Sequence, residues 1–212
     1  MTMDAKKLEH AKPHVAVISV HYYERHLARS LDRLQSVCAA LDASRCVVVS
    51  NNPALATTLV ETKARIGFID DVVEHDNSGL EFGAYQAGLD HVRGASDPDW
   101  IVVVNGTLAI HQCFASPMRA SFVRHVTAAE AADFPVVVGQ VESLARSFAL
   151  EGMRTHRWVT TNVFALNRTA LRRLDNRIYR PRLDRLIETS DDRAHFFSDD
   201  MDVQAKRSRR LV

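Results

Sequence analysis

Glycine is scarce in this chain, with eight in 212 residues. No G-x-G-x-x-G follows the first hydrophobic run, and no G-x-x-x-x-G-K-[ST] occurs, which argues against a dinucleotide dehydrogenase and a P-loop NTPase. Cysteine is scarcer still. Cys38, Cys46 and Cys113 form an odd set with no C-x-x-C spacing, as expected of free thiols in a reducing compartment. Ten histidines are scattered, with no H-x-x-x-H on a predicted helix, so nothing points to zinc. The formal net charge is only +1, so there is no overall basic field of the kind that gathers nucleic acid. No run approaches the ~20 apolar residues of a membrane helix. The opening MTMDAKKLEHAKPH lacks the apolar core of a signal peptide. A cytoplasmic protein without a nucleic-acid partner is expected. The basic KRSRR, Lys206 to Arg210, is expected to be a solvated end, with peripheral membrane contact as its alternative.

What is present suits one globular domain. Hydrophobic residues make up 46% and charged residues 25%. The expected division is a flexible tail over 1–13 and a single domain over 14–212 with a basic C-terminal end. HVAVISVHYY, from His14, is a continuous β-branched run, the pattern of a strand buried on both faces. In the following segment Leu27, Leu31, Leu34, Cys38 and Leu41 recur at three and four residues, one stripe of a helix. RCVVVSNNP, ALATTLVETKARIG, IDDVVEHD, EFGAYQAGLDHVR and DPDWIVVVNGTL then alternate strand, helix, strand, helix, strand. SPMRASFVRHVTAAEA reads as a helix with Ser116 as N-cap and Pro117 at the first helical position. FPVVVGQVES and RWVTTNVFALN read as strands, RTALRRL as a short helix, and FFSDDMDVQAKRS as a loop entering a helix. The alternation predicts an α/β, Rossmann-like, mainly parallel sheet with helices on both faces.

In such sheets ligands bind beyond the carboxyl ends of the strands. The loops of interest are therefore His21 to Glu24, Ser50 to Pro53, His75 to Gly83, Asn105 to Leu108 and Gly139 to Ser143. The third of these, within HDNSGLEFGAYQAG, holds three of the eight glycines beside Asp76, Asn77 and Glu81. A Gly-rich strand-to-helix turn can bring backbone N–H groups to an anion. It can equally be a turn whose glycines serve unusual φ or close packing.

Taken in order, VISVHYYE, VVVSNN, DNSGLEFGAYQAGL, VVVNGT, VVVGQVES…HRWVTTNVFALNRTAL and FFSDDMDVQAKR resemble the strand-end motifs of nucleotide-sugar glycosyltransferases. The likeness is to the A-type fold, family 2-like and rhamnan-synthesis-like group, over roughly residues 14 to 207. It implies a nucleotide-diphosphate sugar donor and a hydroxyl acceptor on a glycan, a lipid-linked or a small molecule. By this likeness Tyr22 and Glu24 stand near the nucleoside, Asn52 and Asp76 at base or ribose, and Asn77, Gly79 and Gly83 around the donor cleft. Asn105 and Thr107 are expected at the diphosphate. Asp200, or Asp199, is expected as the base that deprotonates the acceptor, and Arg207 as a partner of the diphosphate or of an Asp. His156 and Trp158 are candidates for phosphate or acceptor contact and for sugar stacking. One element departs from the pattern. The metal-binding Asp-x-Asp is replaced by Asn105-Gly106-Thr107, which puts a Mg²⁺ or Mn²⁺ ion in question because a hard cation prefers carboxylates. A catalytically inactive nucleotide-sugar-binding or scaffolding protein is the alternative.

Overall fold

The computed structural model describes residues 12–111, 114–150 and 153–181. Six strands form one sheet in the order β3-β2-β1-β4-β6-β5. They are β1 (Val15–His21), β2 (Arg45–Ser50), β3 (Asp71–Glu74), β4 (Trp100–Asn105), β5 (Val137–Leu150) and β6 (Met153–Asn167). The first four pair in parallel. β6 runs antiparallel to β4, and β5 antiparallel to β6.

Every residue of β1 is buried, as its unbroken apolar run requires of a central parallel strand. Alternate residues face opposite sides of the sheet. Val15, Val17, Cys46, Val48, Trp100 and Val102 meet α1 (Leu27–Leu41), α2 (Pro53–Ile66) and α5 (Ser116–Ala128). Ala16, Ile18, Val47, Val49, Ile101 and Val103 meet α3 (Leu80–Ala95) and α6 (Arg168–Arg173). The change of face has a topological cause. The chain steps outward from β1 to β2 to β3, then returns across β1 to β4. With right-handed crossovers throughout, a reversed step sends its helix to the opposite face. α3 therefore lies on the face opposite α1 and α2, where α6 joins it. It lies close, because a Cβ on Gly88 would overlap the Ile18 side chain.

Several sequence expectations need adjustment at element ends. The segment after β1 begins as a 3₁₀ turn, Glu24–His26, before α1 starts. The third strand shortens to Asp71–Glu74. Ala115 is the N-cap of α5 and Ser116 already its first helical residue, so the cap expected at Ser116 sits one residue earlier. A one-turn helix, α4 (Leu108–His111), follows β4. β5 and β6 run well past the predicted Phe134–Ser143 and Arg157–Asn167. Val104 pairs with Val163, so the earlier part of β6 projects beyond the carboxyl end of β4 as a two-stranded ribbon with β5. No helix among the described residues is long and apolar enough to cross a membrane.

Candidate functional site

The direction of strand addition reverses between β1 and β4, and a crevice is expected beyond their carboxyl ends. Its floor is tightly built. Gly106 N–H donates to the Val20 carbonyl at 2.7 Å, and the Ser30 hydroxyl donates to the Gly106 carbonyl. Glycine is required at 106, where a Cβ would come within 2.9 Å of His21 Nδ1. His21 is 2% exposed and its Nε2 lies 2.9 Å from the Ser19 hydroxyl. Burial lowers its pKa to about 4, so the imidazole is neutral near pH 7.

Around this floor stand the loops that follow the strands. Tyr22 and Tyr23 are half exposed and meet edge to face at 5.0 Å, with the Arg25 guanidinium over the Tyr23 ring. Glu24 is exposed at the start of the 3₁₀ turn. Asn52 is the N-cap of α2. Its Oδ1 accepts the Ala54 N–H, and its Nδ2 donates to the Tyr22 carbonyl at 3.1 Å. The amide thus joins two loops and is engaged at both ends. Asn before Pro is a helix-start signature, and this duty was legible in NNP.

The third loop is held in an unusual backbone. Asn77, Gly79 and Leu80 all have positive φ, at 68°, 64° and 52°. Left-handed backbone suits Gly and Asn but is costly for Leu, so surrounding contacts must impose it. The neighbouring Asn51, absent from the sequence-based candidates, is the chief of these. It is 3% exposed, and its Nδ2 donates to Asn77 Oδ1 at 2.7 Å and to the Leu80 carbonyl at 3.2 Å. Its Oδ1 lies 2.7 Å from His75 Nδ1. The carbonyl acceptor at Leu80 fixes which end of the Asn51 amide is NH₂, so His75 must carry a proton on Nδ1. In that tautomer Nδ1 is a donor only, so the Asn77 N–H 3.2 Å away makes no hydrogen bond to it. Asp76 accepts the Ser78 N–H at 2.9 Å. The Ser78 hydroxyl, then that N–H, lower its carboxyl pKa. Gly83 lies under the loop, where a Cβ would overlap the Ser78 carbonyl oxygen. Gly79 lies under Tyr179, whose ring occupies the space of a Cβ. The segment carrying Tyr179 is fastened to α3 by Gln86, whose Oε1 accepts the Ile178 and Tyr179 N–H groups at 2.8 and 3.3 Å.

At the end of β4, Asn105 Oδ1 accepts the Thr107 N–H at 2.9 Å and the Thr107 hydroxyl at 2.7 Å. Its Nδ2 donates to Glu81 Oε2 at 2.9 Å. Glu81 comes from the first turn of α3, and its charge lies near Tyr85. Burial, and then Glu81, push the Tyr85 phenol up, and its hydroxyl donates to the Thr161 carbonyl at 3.1 Å.

Tyr22, Glu24, Asn52, Asp76, Asn77, Gly79 and Thr107 thus lie on carboxyl-end loops, with Asn105 ending β4 and Gly83 in the start of α3 beneath the third loop. His156 does not join them. It is exposed on the projecting ribbon, about 24 Å along the strand from Val163 at about 3.4 Å per residue. Asp199, Asp200, Arg207 and the basic end lie outside the described residues. Among the described residues, no group of three or more His, Cys, Asp or Glu is placed to hold a metal ion. An apolar groove of about 830 Å³ lies elsewhere, between α5 and β5, and none of the candidate residues lines it.

No family model and no curated protein matches this chain. Among solved structures it is similar to the mannosyltransferase PcManGT from Pyrobaculum calidifontis in complex with GDP-Man and Mn²⁺. The TM-score is 0.51 at 16% identity, over 78% of this chain and 47% of that one. It also matches HddC from Yersinia pseudotuberculosis, with TM-score 0.43 and 8% identity over 72% of this chain and 76% of that one. A third match is S. aureus TarS 1-349, with TM-score 0.42 and 14% identity over 77% and 50%. The chain spans about half the length of the first and third of these structures. At such identities the likeness concerns the fold, and it agrees with the Rossmann-like α/β sheet described above.

Proposed function

We propose that this chain is a glycosyltransferase that moves a sugar from a nucleotide-diphosphate donor to a hydroxyl acceptor. The observation that carries the proposal is the gathering of Tyr22, Asn52, Asp76, Asn77, Gly79 and Asn105 on loops around the β1/β4 reversal. The likeness in fold to a mannosyltransferase that binds GDP-Man and Mn²⁺ supports it. In this proposal the exposed Tyr22 and Tyr23 rings give a nucleobase a stacking surface. The Asp76–Leu80 loop forms the donor-side wall, held in its left-handed backbone before substrate arrives. Such preorganisation avoids an ordering cost on binding. Asp200 is proposed as the base that takes the acceptor proton, with Asp199 as its alternative, and Arg207 as a partner of the diphosphate. His156 is proposed to meet the acceptor from the ribbon.

A Mn²⁺ or Mg²⁺ ion of the kind bound by the mannosyltransferase does not fit the end of β4. A hard cation takes six or more oxygens, carboxylates foremost. Here the Asn105 oxygen already accepts two hydrogen bonds, and among the described residues Glu81 is the carboxylate bonded to its amide. That mismatch favours a second reading, a nucleotide-sugar-binding partner without transfer activity. Calorimetry with UDP-, GDP- and dTDP-sugars, with and without Mn²⁺, tests both. Absence of binding across the panel sinks both, whereas binding without transfer, unaltered by Asp200→Asn, selects the second.

A further inference from the structure

The carboxylate beside the end of β4 comes from another element. Glu81, Asn105 and Thr107 are all partly buried and form one run of hydrogen bonds, with the Tyr85 phenol beside it. Glu81 Oε2 takes the Asn105 N–H at 2.9 Å, and Thr107 occupies the Asn105 oxygen. Among the described residues no Lys, Arg or His forms an ion pair with Glu81. The cluster therefore offers a ligand the remaining lone pairs of one carboxylate that no described residue pairs with a charge.

Three ligand chemistries compete for such a position. A bare diphosphate oxygen is repelled by it. A divalent cation finds too few free oxygens among the described residues. A hydroxyl group fits, because an ionised carboxylate accepts several hydrogen bonds and holds them more strongly than a neutral acceptor does. We infer that Glu81 binds hydroxyl groups of the donor's sugar, so the end of β4 reads the sugar and leaves the diphosphate to other groups. Asn105 is then a positioning residue that aims the Glu81 carboxylate through its 2.9 Å hydrogen bond. This inference rests on the glycosyltransferase proposal.

The test compares ligands with and without the sugar on Glu81→Gln, which keeps the shape and an oxygen for Asn105. UDP, GDP and dTDP, and the hexose conjugate of each, are titrated by calorimetry into the full chain. Loss of hydrogen bonds to a charged group costs about tenfold to a hundredfold in affinity. The nucleotide sugar should weaken by that factor, while the free nucleotide changes less than about twofold. Glu81→Asp, which keeps the charge, should fall between the two and carries the same comparison if the amide variant unfolds. Equal loss for nucleotide and nucleotide sugar, or no loss for either, overturns the inference alone. Nucleotide binding tightened by Mn²⁺ in the parent and not in Glu81→Gln also overturns it, because the pair would then hold a cation. Failure of the parent to bind any of the six compounds overturns the glycosyltransferase proposal, and this inference with it.

Discussion

Two glycines on one helix should respond to the same substitution with opposite signs. Gly83 and Gly94 both belong to α3, and alanine at a helical glycine ordinarily stabilises by up to about 1 kcal/mol. At Gly94 a Cβ meets nothing within 4 Å. Gly94→Ala should therefore gain about 0.5 kcal/mol, the lower figure because it lies in the last turn. At Gly83 the Cβ falls on the Ser78 carbonyl oxygen and within 3.2 Å of His75 Cε1. The first obstacle is backbone, so no rotamer change relieves it. Overpacking of this kind costs about 1–3 kcal/mol, and the helical gain offsets less than half of the larger figure. With the cost taken in the upper half of that range, because the obstacle is backbone, Gly83→Ala should lose about 1–2 kcal/mol net, and melt about 4 °C lower at about 2–4 °C per kcal/mol for a chain of this size. Urea denaturation of the two variants beside the parent gives both signs. Nucleotide titration then shows whether the displaced loop has lost its ligand. If Gly83→Ala stabilises like Gly94→Ala, the Asp76–Leu80 loop does not lie across the helix, and the account of the donor-side wall is wrong.

Further outcomes follow from the same contacts. Asn51→Ala removes three hydrogen bonds from a buried side chain and should cost about 2–4 kcal/mol at about 1 kcal/mol per bond. Asn51→Asp keeps only the oxygen facing His75 and should also destabilise, as read by denaturation. His21 should make the fold acid-sensitive. Its folded pKa of about 4 lies below the ordinary 6.5, so in that interval the unfolded chain binds a proton that the folded chain refuses. Stability should therefore fall by up to about 3 kcal/mol as pH drops from 6.5 to 4, and His21→Gln should flatten that slope. Asp71 acts in a lower range. The Arg45 guanidinium at 2.6 Å holds its carboxyl below the ordinary value; burial, the next largest effect, opposes it, and His91 adds to the lowering. Its contribution is complete above the ordinary carboxylate pKa and disappears as pH falls through the folded one. Asp71→Asn should accordingly lose stability at neutral pH and show a shallower acid limb.

The parallel sheet was legible because β1, β2 and β4 carry unbroken apolar runs, and the helices between them carry stripes. The loops around the β1/β4 reversal were legible because carboxyl-end loops are where such sheets bind ligands. What escaped was side-chain traffic between loops. Asn51 sits in the same SNN as Asn52, yet one ties the third loop while the other caps α2 and holds Tyr22. Only tertiary placement separates them. Glu81 was visible as a residue but not as the neighbour of Asn105, since 24 positions and a helix intervene. The projecting β5–β6 ribbon was missed because the two strands extend past the sheet by pairing with each other, and no local signal in either segment announces that pairing.

The crevice also carries a consequence for the order of assembly. β1 meets β2 across 29 residues, Ala16 opposite Arg45, but meets β4 across 85, Val15 opposite Trp100. Closing the longer loop directly from the unfolded chain costs about 1 kcal/mol more, and that difference shrinks once the first strand–helix–strand units have formed. Folding should therefore run outward to β3 before the chain returns to dock β4. The Gly106–Val20 and Ser30–Gly106 hydrogen bonds would then be among the last native contacts made. A nascent chain that has not yet supplied residue 106 can hold three strands and two helices, but it has no floor on which a ligand could rest.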